Sequence, residues 1–347
     1  MICPDENLLS DYLAGSVDDL ASITAHMESC AACRDLIAEL ARTAPPRARA
    51  SEPAAEEAVD EPIHVEALYA GISIAGRFVL TRHLGAGGMG IVWSASRADG
   101  TEVALKFLRI EDPEHRRRLV REARIARAVV HPSIVRVHEV LEASRLTSPV
   151  LVMDLIAGAP LERRLARAPL LTLRETAVVL EPVVRGVLAA HAQGVVHRDL
   201  NPRNILVDWD ATPAPRAYVL DFGLAKILFA GEGESARITR SGLVVGTPQY
   251  MAPEQLFGEP EVDHRADVWS MGSILYCCLA GVPPIAVRSF GEVFKRISTG
   301  RIAPLREVAP TLPEPILSLV DAMLVHDPAD RLDDLAPVAD MLARFAG

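Results

Sequence analysis

The chain has 347 residues, 50% of them hydrophobic, with 46 acidic and 36 basic side chains and a formal charge of −10. That length holds one large domain and a smaller one, and the apolar fraction supplies a sizeable core. The acidic balance argues against a nucleic-acid binder, which needs basic side chains to neutralise phosphates.

The excess charge is local: residues 1–66 carry 14 acidic and 4 basic side chains, and the remainder carries 32 of each. Five cysteines are too few for a disulfide scaffold of this size, so a reducing compartment is expected. The start, with Cys3, Pro4, Asp5 and Glu6, lacks the basic and apolar regions of a signal peptide. The longest apolar run, residues 268–287, is interrupted by Ser270, Ser273, Pro283 and Pro284, and reads as a buried helix ending at Gly281. A soluble cytoplasmic protein with neither nucleic-acid nor membrane partners is expected, and no sensor domain or membrane anchor is expected after the last domain.

Residues 1–43 read as a small all-α module. Leu8, Leu9, Tyr12 and Leu13 recur at helical spacing, as do Leu36, Ile37 and Leu40. So short a segment buries little apolar surface, and a metal staple would supply the stability it lacks. Cys3, His26, Cys30 and Cys33 form a donor set suited to tetrahedral Zn²⁺, with His26 and Cys30 on one helical face. A redox-active CxxC or merely packed thiols are the competing readings. The His-xxx-Cys-xx-Cys element with an upstream ligand resembles the zinc-containing anti-sigma factor domain. That resemblance implies an interaction or sensing module with a regulatory protein as partner. Residues 44–73, rich in Ala, Pro and Glu, read as an acidic linker.

From Ile74 onward the pattern turns to alternating strands. Gly85, Gly87 and Gly90 follow GxGxxG spacing, which dinucleotide-binding folds also use. Here Ile91, Val92 and Trp93 continue as strand residues and the chain turns at Asp99-Gly100, so a hairpin covering a nucleotide is expected. Glycines let such a backbone approach phosphates without Cβ clashes. Val103-Ala104-Leu105-Lys106 is a strand carrying a lysine among apolar neighbours. The helix expected over residues 113–128 offers Glu122 as its ion-pair partner, and six arginines (116, 117, 118, 121, 124 and 127) form its solvated face. Residues 150–155 read as a strand entering a hinge, and residues 173–193 as a long apolar helix delivering the chain to His197.

Downstream, His197-Arg198-Asp199 precedes Asn204 by a short loop, and Asp221-Phe222-Gly223 follows a hairpin's length later. Asp199 is placed to receive a hydroxyl proton, while Asn204 and Asp221 are metal-ligand types. This suits phosphoryl transfer, which needs an aligned hydroxyl and cations across the phosphates.

In this order and spacing, the glycine loop, Val-Ala-Leu-Lys, His-Arg-Asp and Asp-Phe-Gly make residues 74–347 resemble a bacterial Ser/Thr protein kinase. The resemblance extends to Ala252-Pro253-Glu254, Asp267-Val268-Trp269 and Arg331. It implies an α+β bilobal fold, with a small β-rich lobe and a large helical lobe clasping ATP and Mg²⁺. Gly85, Ala86, Gly87, Gly88, Gly90, Val92, Ala104 and Lys106 would face the nucleotide from above. Met153 would act as gatekeeper, with Asp154 and Ile156 as hinge backbone contacts. Asp199 would orient a protein Ser or Thr hydroxyl, with Lys106 and Glu122 paired and Asn204 and Asp221 on Mg²⁺. Thr247 matches a Ser/Thr-specificity position, and Thr239 and Ser241 fall where activating phosphorylation is expected, a phosphate there pairing with Arg198.

One position departs from the pattern. Asn201 stands where the family carries a lysine that stabilises the transferring phosphoryl group. Losing a donor aimed at developing charge costs on the order of 10²–10³ in rate. Arg203 is the nearby candidate substitute cation. A nucleotide-binding pseudokinase, or a zinc-dependent adaptor with weak transfer, is the alternative function.

Overall fold

The structure is a computed structural model that describes residues 26, 30, 32–33, 64–87, 90–110, 112–142, 146, 148–222, 248–287, 289–300 and 302–347. The chain divides into two compact units, Met1–Glu61 and Pro62–Gly347.

In the first unit, His26, Ala32 and Cys33 are helical, and the Cys30 N–H donates to the His26 carbonyl at 3.0 Å. Cys3 and the two expected apolar helices of the module lie outside the described residues.

The second unit starts earlier than the composition suggests. Residues 65–73 were expected in the linker, yet a 3-10 turn at Val65–Ala67 places Val65 in an apolar core at 7% exposure, with Leu68 and Ile72 packed against it. Three apolar side chains are enough to tie a segment down, and a composition averaged over the whole linker hides them.

Alternating burial builds the first lobe. Strands β1 (Ser73–Ile74), β2 (Phe78–Gly87), β3 (Gly90–Arg97) and β4 (Glu102–Leu108) are followed by helix α1 (Pro113–Ala126) and strands β5 (Val137–Leu141) and β6 (Val150–Asp154). The strands form one antiparallel sheet in the order β1-β2-β3-β4-β6-β5. Ile74, Phe78, Leu80, Leu105, Phe107 and Val150, each at most 2% exposed, fill one face. On the other, Leu119 and Ala123 of α1 meet Leu108, Ile110 and Leu151. Helix α1 begins where Asp112 accepts the Glu114 and His115 N–H groups just ahead of Pro113, an N-cap followed by a proline whose missing donor costs nothing there.

The second lobe is helical. Strand β7 (Ala159–Pro160) leads into α2 (Leu161–Arg167) and α3 (Leu173–His191), the latter opened by a reciprocal Thr172–Glu175 capping box. A hairpin of β8 (Ile205–Asp208) and β9 (Arg216–Val219) joins β7 in a three-stranded sheet. Then come α4 (Pro253–Phe257), α5 (Arg265–Ala280), α6 (Phe290–Ser298), α7 (Leu305–Val308), α8 (Glu314–Met323) and α9 (Ala336–Ala346). Helix α5 is apolar around nearly its whole circumference and is buried from Ala266 to Leu279, as a central helix must be. It ends at Gly281, whose φ of 78° is the left-handed conformation that glycine adopts cheaply. The expected buried helix in place of a membrane span is thus observed, and among the described residues no helix is long and apolar enough to cross a membrane.

A buried ion pair ties the helical lobe together. Arg331 donates to both carboxylate oxygens of Glu254 at 2.7 and 2.9 Å, with side-chain exposures of 0% and 3%. Its remaining donors reach the carbonyls of Val325, Arg265 and His326, and its guanidinium lies over the Trp269 ring. A buried charge is tolerable only when every donor is used in this way.

Candidate active site

The chemistry-bearing residues converge because the β8–β9 hairpin joins two loops. Asn204 sits just before β8 and Asp221 just after β9, so pairing Ile205 with Val219 brings the loops together. The Leu220 N–H donates to the Asn204 carbonyl at 2.9 Å. His197 is fully buried and spans the same junction. Its Nε2–H donates to the Leu220 carbonyl at 2.7 Å, and its Nδ1 accepts the Asp199 N–H at 3.2 Å. Those two roles define the neutral Nε2-protonated tautomer. The ring also meets Phe222 edge-on at 4.8 Å.

Asp267, at the start of α5, holds the loop from below. Its Oδ2 accepts from the His197 N–H at 2.8 Å and from His191 Nε2 at 2.7 Å, and its Oδ1 accepts the Arg198 N–H at 2.8 Å. Desolvation alone would raise this fully buried carboxyl, but the His191 donor and the loop N–H groups outweigh it and hold Asp267 below the usual carboxylate range. The loop it steadies carries backbone strain at Arg198, with φ 65°, and the facing loop carries it at Asp221, with φ 62°. In the sequence, Asp267 stood out only as part of the Asp267-Val268-Trp269 match. The signal available was a carboxylate leading an otherwise apolar run, which demands internal donors.

Within the loop, Asp199 accepts amide donors on both carboxylate oxygens. Asn201 Nδ2 reaches Oδ1 at 3.0 Å, and Asn204 Nδ2 reaches Oδ2 at 3.0 Å. Burial pushes the Asp199 carboxyl up, against the amide hydrogen bonds that favour its ionised form. Asn201 is 3% exposed, and its Oδ1 accepts the Arg203 N–H at 3.0 Å. Arg203 itself, the candidate substitute cation, pairs instead with Glu162 of α2 at 2.7 Å.

Lys106 on β4 is 6% exposed and donates to Asp221 Oδ2 at 2.5 Å, linking residues of the two lobes. The expected Lys106–Glu122 pair is not formed; the carboxylate nearest the ammonium is that of Asp221. A buried ammonium needs a counter-charge, and Asp221 is the one the fold presents first. The Arg198 guanidinium donates to the Val262 carbonyl at 2.9 Å, and Gln255 Nε2 donates to the Arg198 carbonyl at 2.7 Å.

Beyond these groups, residues from both lobes form an apolar cluster. Ala104 and Met153, opposite each other across β4 and β6, cluster with Val135, Leu84, Val92, Leu155, Ile156, Tyr218 and Leu220. Of these, Leu84, Val135, Leu155, Tyr218 and Leu220 were not foreseen, since they come from segments far apart in the chain and carry no motif. The Asp154 N–H is taken by the Arg136 carbonyl at 3.0 Å, and its side chain meets His138 at 2.7 Å. In the glycine hairpin, Gly85 and Gly87 have open space where a Cβ would stand, whereas a Cβ on Gly90 would lie 2.0 Å from the Phe107 carbonyl oxygen. Of these three glycines, Gly90 is therefore the one that the close approach of β4 requires. Gly88, Gly223, Thr239, Ser241 and Thr247 lie outside the described residues.

In the first unit, one donor atom from each of His26, Cys30 and Cys33 lies within 4.8 Å of the other two, and Cys33 Sγ is 3.4 Å from His26 Nε2. Tetrahedral Zn²⁺ with thiolate and imidazole ligands separates donor atoms by about 3.3–3.8 Å, a range that the Cys33–His26 pair meets, so the three residues are a candidate metal cluster.

Comparison with known proteins points to one family. A family model described as "Protein kinase domain" matches residues 78–342. Serine/threonine-protein kinase PknA of Mycobacterium tuberculosis is 36% identical over 281 residues, covering 79% of this chain and 62% of that protein. Serine/threonine-protein kinase PkaB of Streptomyces coelicolor is 35% identical over 285 residues, covering 79% and 65%. The chain thus spans less than two thirds of the length of these relatives. The crystal structure of the Mycobacterium tuberculosis PknI kinase domain superposes with a TM-score of 0.61 at 28% identity, covering 81% of this chain and all of that one. With a kinase-domain match over most of its residues, the chain belongs to the protein kinase family.

Proposed function

We propose that the chain is a Ser/Thr protein kinase that transfers the γ-phosphoryl group of ATP to protein hydroxyls. The observation that carries this reading is the convergence of Lys106, Asp199, Asn204 and Asp221, linked by the Lys106–Asp221 contact and the two Asn204–Asp199 hydrogen bonds. Kinship with PknA and PkaB, both named serine/threonine-protein kinases, supports it. Adenine would lie against Ala104, Val92 and Met153, with hinge contacts from Asp154 and Ile156, and the hairpin of Gly85, Ala86, Gly87, Gly88 and Gly90 over the phosphates. Asn204 and Asp221 would hold Mg²⁺, which neutralises phosphate charge. Asp221 then has to release Lys106, and Glu122 on α1 is the carboxylate expected to take the cation over. Asp199 orients the attacking hydroxyl. Thr239 and Ser241 are the expected autophosphorylation sites.

The test is incubation of the purified chain with labelled ATP and Mg²⁺, with Asp199→Asn alongside. Label on the wild type that the variant loses supports the reading; equal label on both sinks it. A second reading, an ATP-binding chain with weak or no transfer, is favoured by Asn201, which puts no cation beside Asp199. ATP binding without transfer would establish it.

The His26, Cys30 and Cys33 cluster, completed by Cys3, would hold a structural Zn²⁺ in a module that binds a regulatory protein. The ion would supply the stability that a forty-residue helical segment lacks.

A further inference from the structure

We propose that Asn201 is a positioning residue for phosphoryl transfer, clamping the Asp199 carboxylate opposite Asn204 rather than standing in for a phosphate-binding cation. The inference rests on the kinase reading and concerns how this chain works without the family's lysine.

The carboxamide has two N–H donors and one acceptor oxygen, and all are committed. Nδ2 donates to the Asp199 carbonyl at 2.9 Å and to Asp199 Oδ1 at 3.0 Å. Oδ1 accepts the Arg203 N–H at 3.0 Å, which sets which end of the amide faces Asp199. The side chain is 3% exposed, so it has no free donor to send toward a phosphate. Asn204 makes the mirror-image pair, to the Asp199 carbonyl at 2.8 Å and to Oδ2 at 3.0 Å. Asp199 is therefore gripped on both oxygens, and each oxygen keeps a second lone pair for a substrate hydroxyl. Losing one grip frees the carboxylate to rotate, and an ångström of misplacement costs about 10²-fold in rate. Arg203, held by Glu162, does not supply the missing charge. Asn201 thus contributes geometry where the lysine would contribute electrostatics.

The experiment is a double-mutant cycle on the full chain, reading kcat and the KM for ATP. Asn201→Ala should lower kcat about 10²-fold with KM unchanged, and should cost nothing further in an Asp199→Asn background, because residues acting as a unit are non-additive. Asn201→Lys, which restores an N–H donor, should recover kcat. If the Ala variant fails to fold, Asn201→Asp keeps the acceptor for Arg203, drops both donors, and should lose kcat at least as far. Wild-type kcat in the Ala and Asp variants, an equal loss in both backgrounds, or an effect confined to KM would overturn the proposal while leaving the kinase reading intact. A wild type with no more transfer than Asp199→Asn would overturn both.

Discussion

At the scale of single residues, the site is decided by which donor finds which carboxylate. Lys106 and Glu122 were paired on sequence grounds, yet the ammonium contacts Asp221, because nothing in a one-dimensional pattern gives the distance from α1 to β4. Lys106→Met should therefore weaken ATP binding, measured by nucleotide titration, and leave Asp221 without its counter-charge. Arg203 gives the opposite prediction. Its pair with Glu162 is exposed, and such pairs contribute roughly 0–1 kcal/mol, so Arg203→Ala should leave kcat and the melting temperature nearly unchanged. A 10²-fold fall in kcat would instead make it the substitute cation that the sequence suggested.

At the scale of elements, two contacts hold the catalytic loop and the helical lobe in register. Arg331 and Glu254 lie 77 positions apart and form a buried pair. Truncating one partner leaves an uncompensated charge, so Arg331→Met should cost about 3–5 kcal/mol in denaturant unfolding. A loss under 1 kcal/mol would mean that the pair is replaceable. Asp267 gives a pH dependence. Its carboxyl is held below the ordinary value, so its contribution is present above the unfolded pKa of about 3.9 and is lost as pH falls through the folded one. Melting temperature should therefore fall below about pH 4 in the wild type, while Asp267→Asn should start lower at neutral pH and fall less on acidification. Parallel curves would show that the carboxylate contributes nothing there.

At the scale of the whole molecule, the zinc reading of the first unit is testable on the intact chain. Metal analysis should find about one Zn²⁺ per chain, and Cys30→Ser or Cys33→Ser should lower that content. Equal metal content in wild type and variants would reduce the cluster to packed thiols and an imidazole. By itself the sequence determined the strand-rich and helical halves, the glycine hairpin, the buried helix around residues 265–280 and the kinship of the motifs with the protein kinase family. These depend on short-range periodicity and on residue types at fixed spacing, which a linear reading preserves. Only the tertiary structure decided that Lys106 meets Asp221, that Arg203 turns to Glu162, that Asn201 faces Asp199, and that Val65 belongs to the kinase core. It also gathered Leu84, Val135, Tyr218 and Leu220 into one apolar cluster with Ala104 and Met153. The physical reason is that these contacts depend on how side chains are oriented in space: Lys106, Arg203 and Val65 meet partners far away in the chain, and Asn201 meets Asp199 only because the folded loop turns both side chains inward.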